Sequence, residues 1–121
     1  MADKLTVAEL ENRWDYALRM TRLAVSRQPA VYRELKSLAA RIAAHSLDIR
    51  EYLPTVNKLI SLLEKLDPGD HGSIFSFFND RIHPSSVWST CWLRMECKDL
   101  LAHLDAFEKW RLSTHRLKVL K

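Results

Sequence analysis

The scarcity of glycine is the feature that most constrains the fold of this chain. The sequence contains two glycines, Gly69 and Gly72, and both lie in the short stretch that begins at Asp67. Sheets need repeated tight turns, and such turns rely on glycine. The rest of the chain is rich in Leu, Ala, Arg, Lys and Glu, which favour helices. The sequence therefore predicts an all-α fold in which a glycine turn follows a first group of helices.

Signals for helix starts divide the chain further. Thr6 and Glu9 have the spacing of a capping box, Pro29 suits the first turn of a helix, and Asp48 is a favourable N-cap. The predicted helices cover residues 6–28, 29–46, 48–66, 73–81 and 84–112, and a basic C-terminal segment spans residues 109–121. Since 121 residues suffice for one hydrophobic core, we predict a single domain, a compact bundle of four to five helices.

The apolar residues predict how these helices pack. The wide apolar stripe of the third helix indicates a central position, and Pro54 either kinks this helix or marks its start. Trp14, Trp88 and Trp92 fall on apolar stripes and are expected in the core. The last helix carries apolar residues on two sides. Such a helix lies at the centre of its bundle, or it packs inward on one side and onto a partner on the other.

Candidate catalytic and metal-binding groups lack the spacing that their chemistry needs. Cys91 and Cys97 fall inside an apolar helix and point to different sides, so we expect reduced packing residues rather than nucleophiles or a disulfide. Asp99 and His103 are four residues apart and form at most a surface pair. The histidines form no metal-binding motif, and a glycine-rich phosphate loop is missing. We therefore expect no enzyme activity, no metal and no cofactor.

The distribution of charge is more informative than the net charge of +4. Residues 13–41 contain seven basic and two acidic side chains, residues 42–80 three basic and six acidic, and residues 109–121 five basic and none acidic. Two positive regions therefore flank a mildly negative middle. They are either a solvated surface or a footprint for phosphates or for an acidic protein. If the first two helices form an antiparallel hairpin, their arginines come together in one patch.

The leading hypothesis is a non-enzymatic accessory subunit of a nucleic-acid-handling assembly, comparable to a small helical subunit of an RNA-guided effector complex. Its side chains would contact the phosphate backbone without reading sequence. The candidate nucleic-acid-binding residues are Arg19, Arg22, Arg33, Lys36, Arg41, Lys109, Arg111, Arg116 and Lys118.

The alternative hypothesis is a protein–protein adaptor or inhibitor, of the kind found in phages and mobile elements, that acts through an apolar or basic helical surface. Trp88, Trp92 and Trp110 are the candidate partner contacts. A homo-oligomer is compatible with either hypothesis. The sequence has no apolar run of about 18 residues and no signal-peptide pattern at its start, so we expect a cytoplasmic protein without membrane contact.

Overall fold

The computed structural model describes residues 7–45, 48–67, 72–82 and 90–120, and this part of the chain is almost entirely helical. It contains five helices: α1 (Val7–Arg27), α2 (Pro29–Ala44), α3 (Ile49–Leu66), α4 (Ile74–Arg81) and α5 (Thr90–Leu120). The predicted all-α bundle is confirmed.

Local sequence signals account for the starts of the three middle helices. Pro29 occupies the first turn of α2, where its missing amide hydrogen costs nothing. The Asp48 side chain accepts a hydrogen bond from the backbone amide of Arg50 at 3.1 Å. Ser73 caps α4 by accepting from the amide of Ser76 at 3.1 Å. These caps satisfy amides that the first turn of a helix leaves unpaired, so these starts agree with the sequence within one residue.

The core lies between α2 and its neighbours. Helix α2 packs most extensively against α5 and also against α3, while α3 packs on α4. Tyr32 of α2 packs edge-on against Phe75 of α4, which is fully buried. The central position predicted for α3 therefore belongs to α2. Helix α3 still buries most of its stripe, but Leu53, near its start, remains exposed.

Two further predictions about helices need correction. Helix α5 continues to Leu120, beyond the predicted end at residue 112, because Leu112–Leu120 contains neither glycine nor proline to stop it. Its described part begins at Thr90, and residues 83–89, which include Trp88, lie outside the described residues. Pro54 lies inside α3 and does not mark its start.

The prediction that Trp14 belongs to the core is wrong. Its side chain is 40% exposed, because it lies near the start of α1 at the rim of the bundle. Trp92 is half-buried and packs against the core.

Candidate nucleic-acid interface

Two aromatic residues of α5 form the centre of the candidate interface. Phe107 and Trp110 lie about one helical turn apart, and their rings stack with centroids 6.2 Å apart and an interplanar angle of 29°. Phe107 is fully buried, whereas Trp110 is half-buried against the core. Tyr32 of α2 packs edge-on against Phe107 with a centroid distance of 6.3 Å. The stack therefore lies where α2 meets α5, and its Trp110 end is partly open to solvent.

Each ring of this stack has a guanidinium group over it. The Arg22 guanidinium of α1 lies 5.4 Å from the centroid of the Trp110 ring, and that of Arg111 lies 5.4 Å from the centroid of the Phe107 ring. Within the described residues, neither arginine forms an ion pair with a carboxylate. An arginine held over an aromatic face keeps its planar fork of N–H donors, which matches the geometry of phosphate.

Lys36 links α2 to α5 through a carboxylate. Its Nζ lies 2.5 Å from Oε2 of Glu108, and the Tyr32 hydroxyl donates to the same oxygen at 2.9 Å. Burial pushes the pKa of Glu108 upward, but the hydrogen bonds from Lys36 and Tyr32 outweigh it and leave this pKa below its usual value. Burial and the neighbouring Glu108 both raise the pKa of Tyr32. Glu108 is therefore charged at neutral pH and offsets one of the surrounding positive charges.

We call Arg22, Lys36 and Arg111 the basic cluster. They come from α1, α2 and α5, so the two basic regions of the sequence meet here. The predicted antiparallel hairpin is not the main cause, because α1 contacts α2 much less than α2 contacts α5. Helix α5 brings the basic residues together, because Glu108 forms a salt bridge with Lys36 and Trp110 lies under the guanidinium of Arg22. With Glu108 included, three cations and one anion leave a local charge of +2.

The other candidate basic residues lie outside the basic cluster. Arg19 pairs with Asp15 at 2.9 Å and Lys109 with Asp105 at 3.1 Å, both as exposed pairs four residues apart that stabilise little. Arg33 and Arg41 are exposed on α2. Arg41 lies about 140° around the helix from Lys36 and about 20° from Glu34, which contacts Lys58 of α3.

The side chains of Arg116 and Lys118 lie outside the described residues, as does Trp88. Trp110 is a contact of Arg22 and of the core, so its role as a partner residue stays a prediction.

A groove of about 770 Å³ opens at the other end of the α1–α5 contact. We call it the aromatic groove, because Trp14 and Tyr16 of α1 and Phe77 of α4 line it with exposed rings. Arg13, Asp80 and His103 are among its polar lining residues.

Gly72, just before α4, lines the groove next to Tyr16 of α1. Gly72 has φ +114°, and a Cβ atom there would lie 2.7 Å from Cε1 of Tyr16. A larger residue would be strained and would displace the Tyr16 ring. The Thr21 hydroxyl also links α1 to α4. It accepts a hydrogen bond from the backbone amide of Ile74 at 3.0 Å and donates one to the carbonyl of Ala17 at 2.7 Å.

Behind the groove, Arg81 of α4 holds two carboxylates of α5. Its guanidinium binds both oxygens of the Glu96 carboxylate, and its Nη1 lies 2.9 Å from Oδ2 of Asp99. The predicted contact between Asp99 and His103 is present, with Nδ1 of His103 3.4 Å from Oδ1 of Asp99. This network fixes α4 on α5 and thereby the position of Phe77.

The remaining candidate chemistry finds no site among the described residues. Cys97 is fully buried, which confirms it as a packing residue, and burial raises the pKa of its thiol to about 12. The side chain of Cys91 lies outside the described residues. No three His, Cys, Asp or Glu side chains converge as metal ligands in the described part of the chain. Within the same part, no helix has the length and apolar character needed to cross a membrane.

Glu108→Gln is expected to destabilise the protein in a pH-dependent way. Because the pKa of Glu108 is lowered in the folded state, its carboxylate stabilises the fold above the pKa it has when unfolded. This stabilisation is lost as the pH falls through the folded-state value. The difference in unfolding free energy between wild type and variant should therefore be greatest near neutral pH. It should shrink between about pH 5 and pH 3 in urea titrations.

Glu34→Gln is the matched control. Glu34 lies 3.5 Å from Lys58, and both side chains are more than half exposed. Its replacement should change stability by less than about 0.5 kcal/mol at every pH. A pH-independent effect of Glu108→Gln would show that its carboxylate is not held as described.

Sequence reasoning missed Tyr32, Phe107 and Glu108 as parts of this site, and Trp14 and Phe77 as exposed groove residues. A local signal exists for one part: Phe107, Trp110 and Arg111 are spaced three and four residues apart on one helix, which places them on a common face. The pairing of Tyr32 with Glu108 spans 76 positions and has no local signal.

The sequence matches no protein-family model, no curated protein and no solved structure in the three comparisons with known proteins.

Proposed function

We propose that this protein is a non-enzymatic accessory subunit that binds the phosphate backbone of nucleic acid without reading its sequence. The observation that supports this proposal best is the convergence of Arg22 and Arg111 on the Phe107–Trp110 stack. These arginines come from the two basic regions of the chain, which a middle region with excess acidic side chains separates. A cytoplasmic location is part of the proposal.

The physical chemistry of the basic cluster suits phosphate. Both guanidinium groups are supported by aromatic rings, so binding an anion immobilises less side-chain freedom than it would for a free surface arginine. Glu108 forms its salt bridge with Lys36, while the charge of Arg111 also lowers the pKa of Glu108 without an ion pair between them among the described residues. Contacts to phosphate carry no information about base identity, so this surface would bind many sequences with similar affinity.

A second candidate function is a protein–protein adaptor or inhibitor. The aromatic groove supports it, because Trp14, Tyr16 and Phe77 expose large rings of the kind that anchor protein interfaces.

The salt dependence of binding separates the two functions. Fluorescence anisotropy with short oligonucleotides, two unrelated sequences each of RNA and DNA, would be measured from about 50 to 200 mM salt. Two phosphate contacts predict that the logarithm of the affinity falls with the logarithm of salt concentration with a slope of at least about 1.4. Both sequences should behave alike. If no oligonucleotide binds at the lowest salt concentration, or if the affinity does not change with salt concentration, the result would contradict the proposal and favour the adaptor.

A further inference from the structure

We propose that the ligand is single-stranded nucleic acid, with its bases stacked in the aromatic groove and its phosphates on the basic cluster. This inference rests on the proposed function and adds the class of ligand and a second contact site. Trp14, Tyr16 and Phe77 take the bases, while Arg22 and Arg111 take the backbone.

The two sites lie at two points along the contact between α1 and α5, which we call the seam. At one end the rings of Trp14 and His103 meet edge-on, with centroids 5.9 Å apart. At the other end Arg22 lies over Trp110. Along α1, Arg22 follows Trp14 by eight positions. Along α5, Trp110 follows His103 by seven positions, so residue numbers increase in the same direction on both helices. The helices therefore run parallel along the seam, and its ends are about 11–12 Å apart.

This separation matches the spacing of a nucleic-acid strand. Neighbouring nucleotides lie about 3.4 Å apart along a stacked strand and farther apart in an extended one, so the seam spans about two to three nucleotides. A strand with bases in the aromatic groove therefore brings its next phosphates toward the Phe107–Trp110 stack, over which Arg22 and Arg111 lie.

The groove has the chemistry of a base-binding site. Trp14, Tyr16 and Phe77 are 40%, 52% and 49% exposed, so each ring is partly open to the groove. One face of Phe77 is covered by the Arg81 guanidinium, which leaves the other face for a base. Asp80 and His103 line the groove with groups that can bond to base edges. Arg13 and Asp80 both line the groove, so their opposite charges offset each other and the exposed rings dominate its chemistry.

A duplex cannot use the groove in this way, because its bases are already stacked and paired. Aromatic side chains bind the bases of single strands, whose faces are free, and this stacking tolerates any sequence. The proposed contacts therefore keep the sequence independence of the basic cluster while adding a preference for unpaired strands.

The test compares three probes of equal length, about 12 nucleotides: a single strand, a duplex and an abasic strand that keeps the phosphates but lacks bases. Wild-type protein should bind the single strand at least tenfold more tightly than the abasic strand. Trp14→Leu with Phe77→Leu should remove this preference and leave the affinity for the abasic strand unchanged. Leu53→Ala, at an exposed apolar residue of α3, is the control and should change neither affinity.

Tyr16→Leu provides a second variant if the double substitution fails to fold, and it should reduce the same preference. Equal wild-type affinity for the single and abasic strands would overturn this inference, while salt-dependent binding of both would leave the proposed function intact. An unchanged preference in the folded groove variants would also overturn it. Failure of all three probes to bind at low salt would overturn both proposals.

Discussion

Arg81→Met is expected to lower the free energy of unfolding by about 3 kcal/mol. The Glu96 side chain is only 7% exposed, and the Arg81 guanidinium holds both of its carboxylate oxygens. Methionine fills a similar volume but leaves this carboxylate buried without its charged partner, which costs far more than the loss of an exposed ion pair. Contacts of the guanidinium with the rings of Phe77 and Phe78 are lost as well. Urea titration at neutral pH measures the change.

The double substitution Arg81→Met with Glu96→Met is the control for this interpretation. It removes both charges together, so it should recover most of the stability that Arg81→Met loses. If the double variant is as unstable as the single one, the loss comes from packing around Arg81 rather than from an unpaired Glu96.

Phe107→Ala is expected to lower the free energy of unfolding by about 3–5 kcal/mol and to weaken nucleic-acid binding. Phe107 is fully buried between Tyr32 and Trp110, and Arg111 lies over its ring. Alanine leaves a cavity beneath the basic cluster, removes the ring under Arg111, and takes away the ring on which Trp110, the partner of Arg22, is stacked. Binding would be measured at low temperature on folded protein, with stability taken from urea titration.

Phe75→Ala is the matched control. Phe75 is also fully buried and packs on Tyr32, but it belongs to α4, and in the described part of the chain the arginines of the basic cluster lie over Trp110 and Phe107 rather than over Phe75. Phe75→Ala should lower the free energy of unfolding by a similar amount, but its folded fraction should bind nucleic acid as the wild type does. Equal loss of binding in both variants would show that reduced stability alone explains the effect of Phe107→Ala.

The sequence predicts the helices well because their signals are local. Pro29, Asp48 and Ser73 act within one turn of the backbone, so the starts of α2, α3 and α4 can be recognised without knowledge of the fold. The sequence predicts an end of α5 that is too early, because its apolar pattern weakens near residue 112 while the helix continues to Leu120. A segment without glycine or proline carries no signal that stops a helix.

The candidate site is only partly predictable, because it depends on which helices meet. Arg22, Lys36 and Arg111 are recognisable from the charge distribution alone. Their convergence depends on Glu108 and Trp110 of α5, which lie 72 and 88 positions from Lys36 and Arg22. The exposure of Trp14 could not be predicted from the sequence either, because an apolar stripe on one helix does not show where the neighbouring helix ends.

The most direct test of the account replaces two positive charges at the basic cluster. Arg22→Gln with Arg111→Gln should weaken binding of a single strand roughly tenfold at low salt and reduce the salt slope by about 1.4. Arg50→Gln with Lys65→Gln removes the same charge from exposed positions on α3 and should leave affinity and slope close to those of the wild type. Equal weakening by both pairs would show that net charge alone attracts nucleic acid, and it would contradict a binding surface at the junction of α1, α2 and α5.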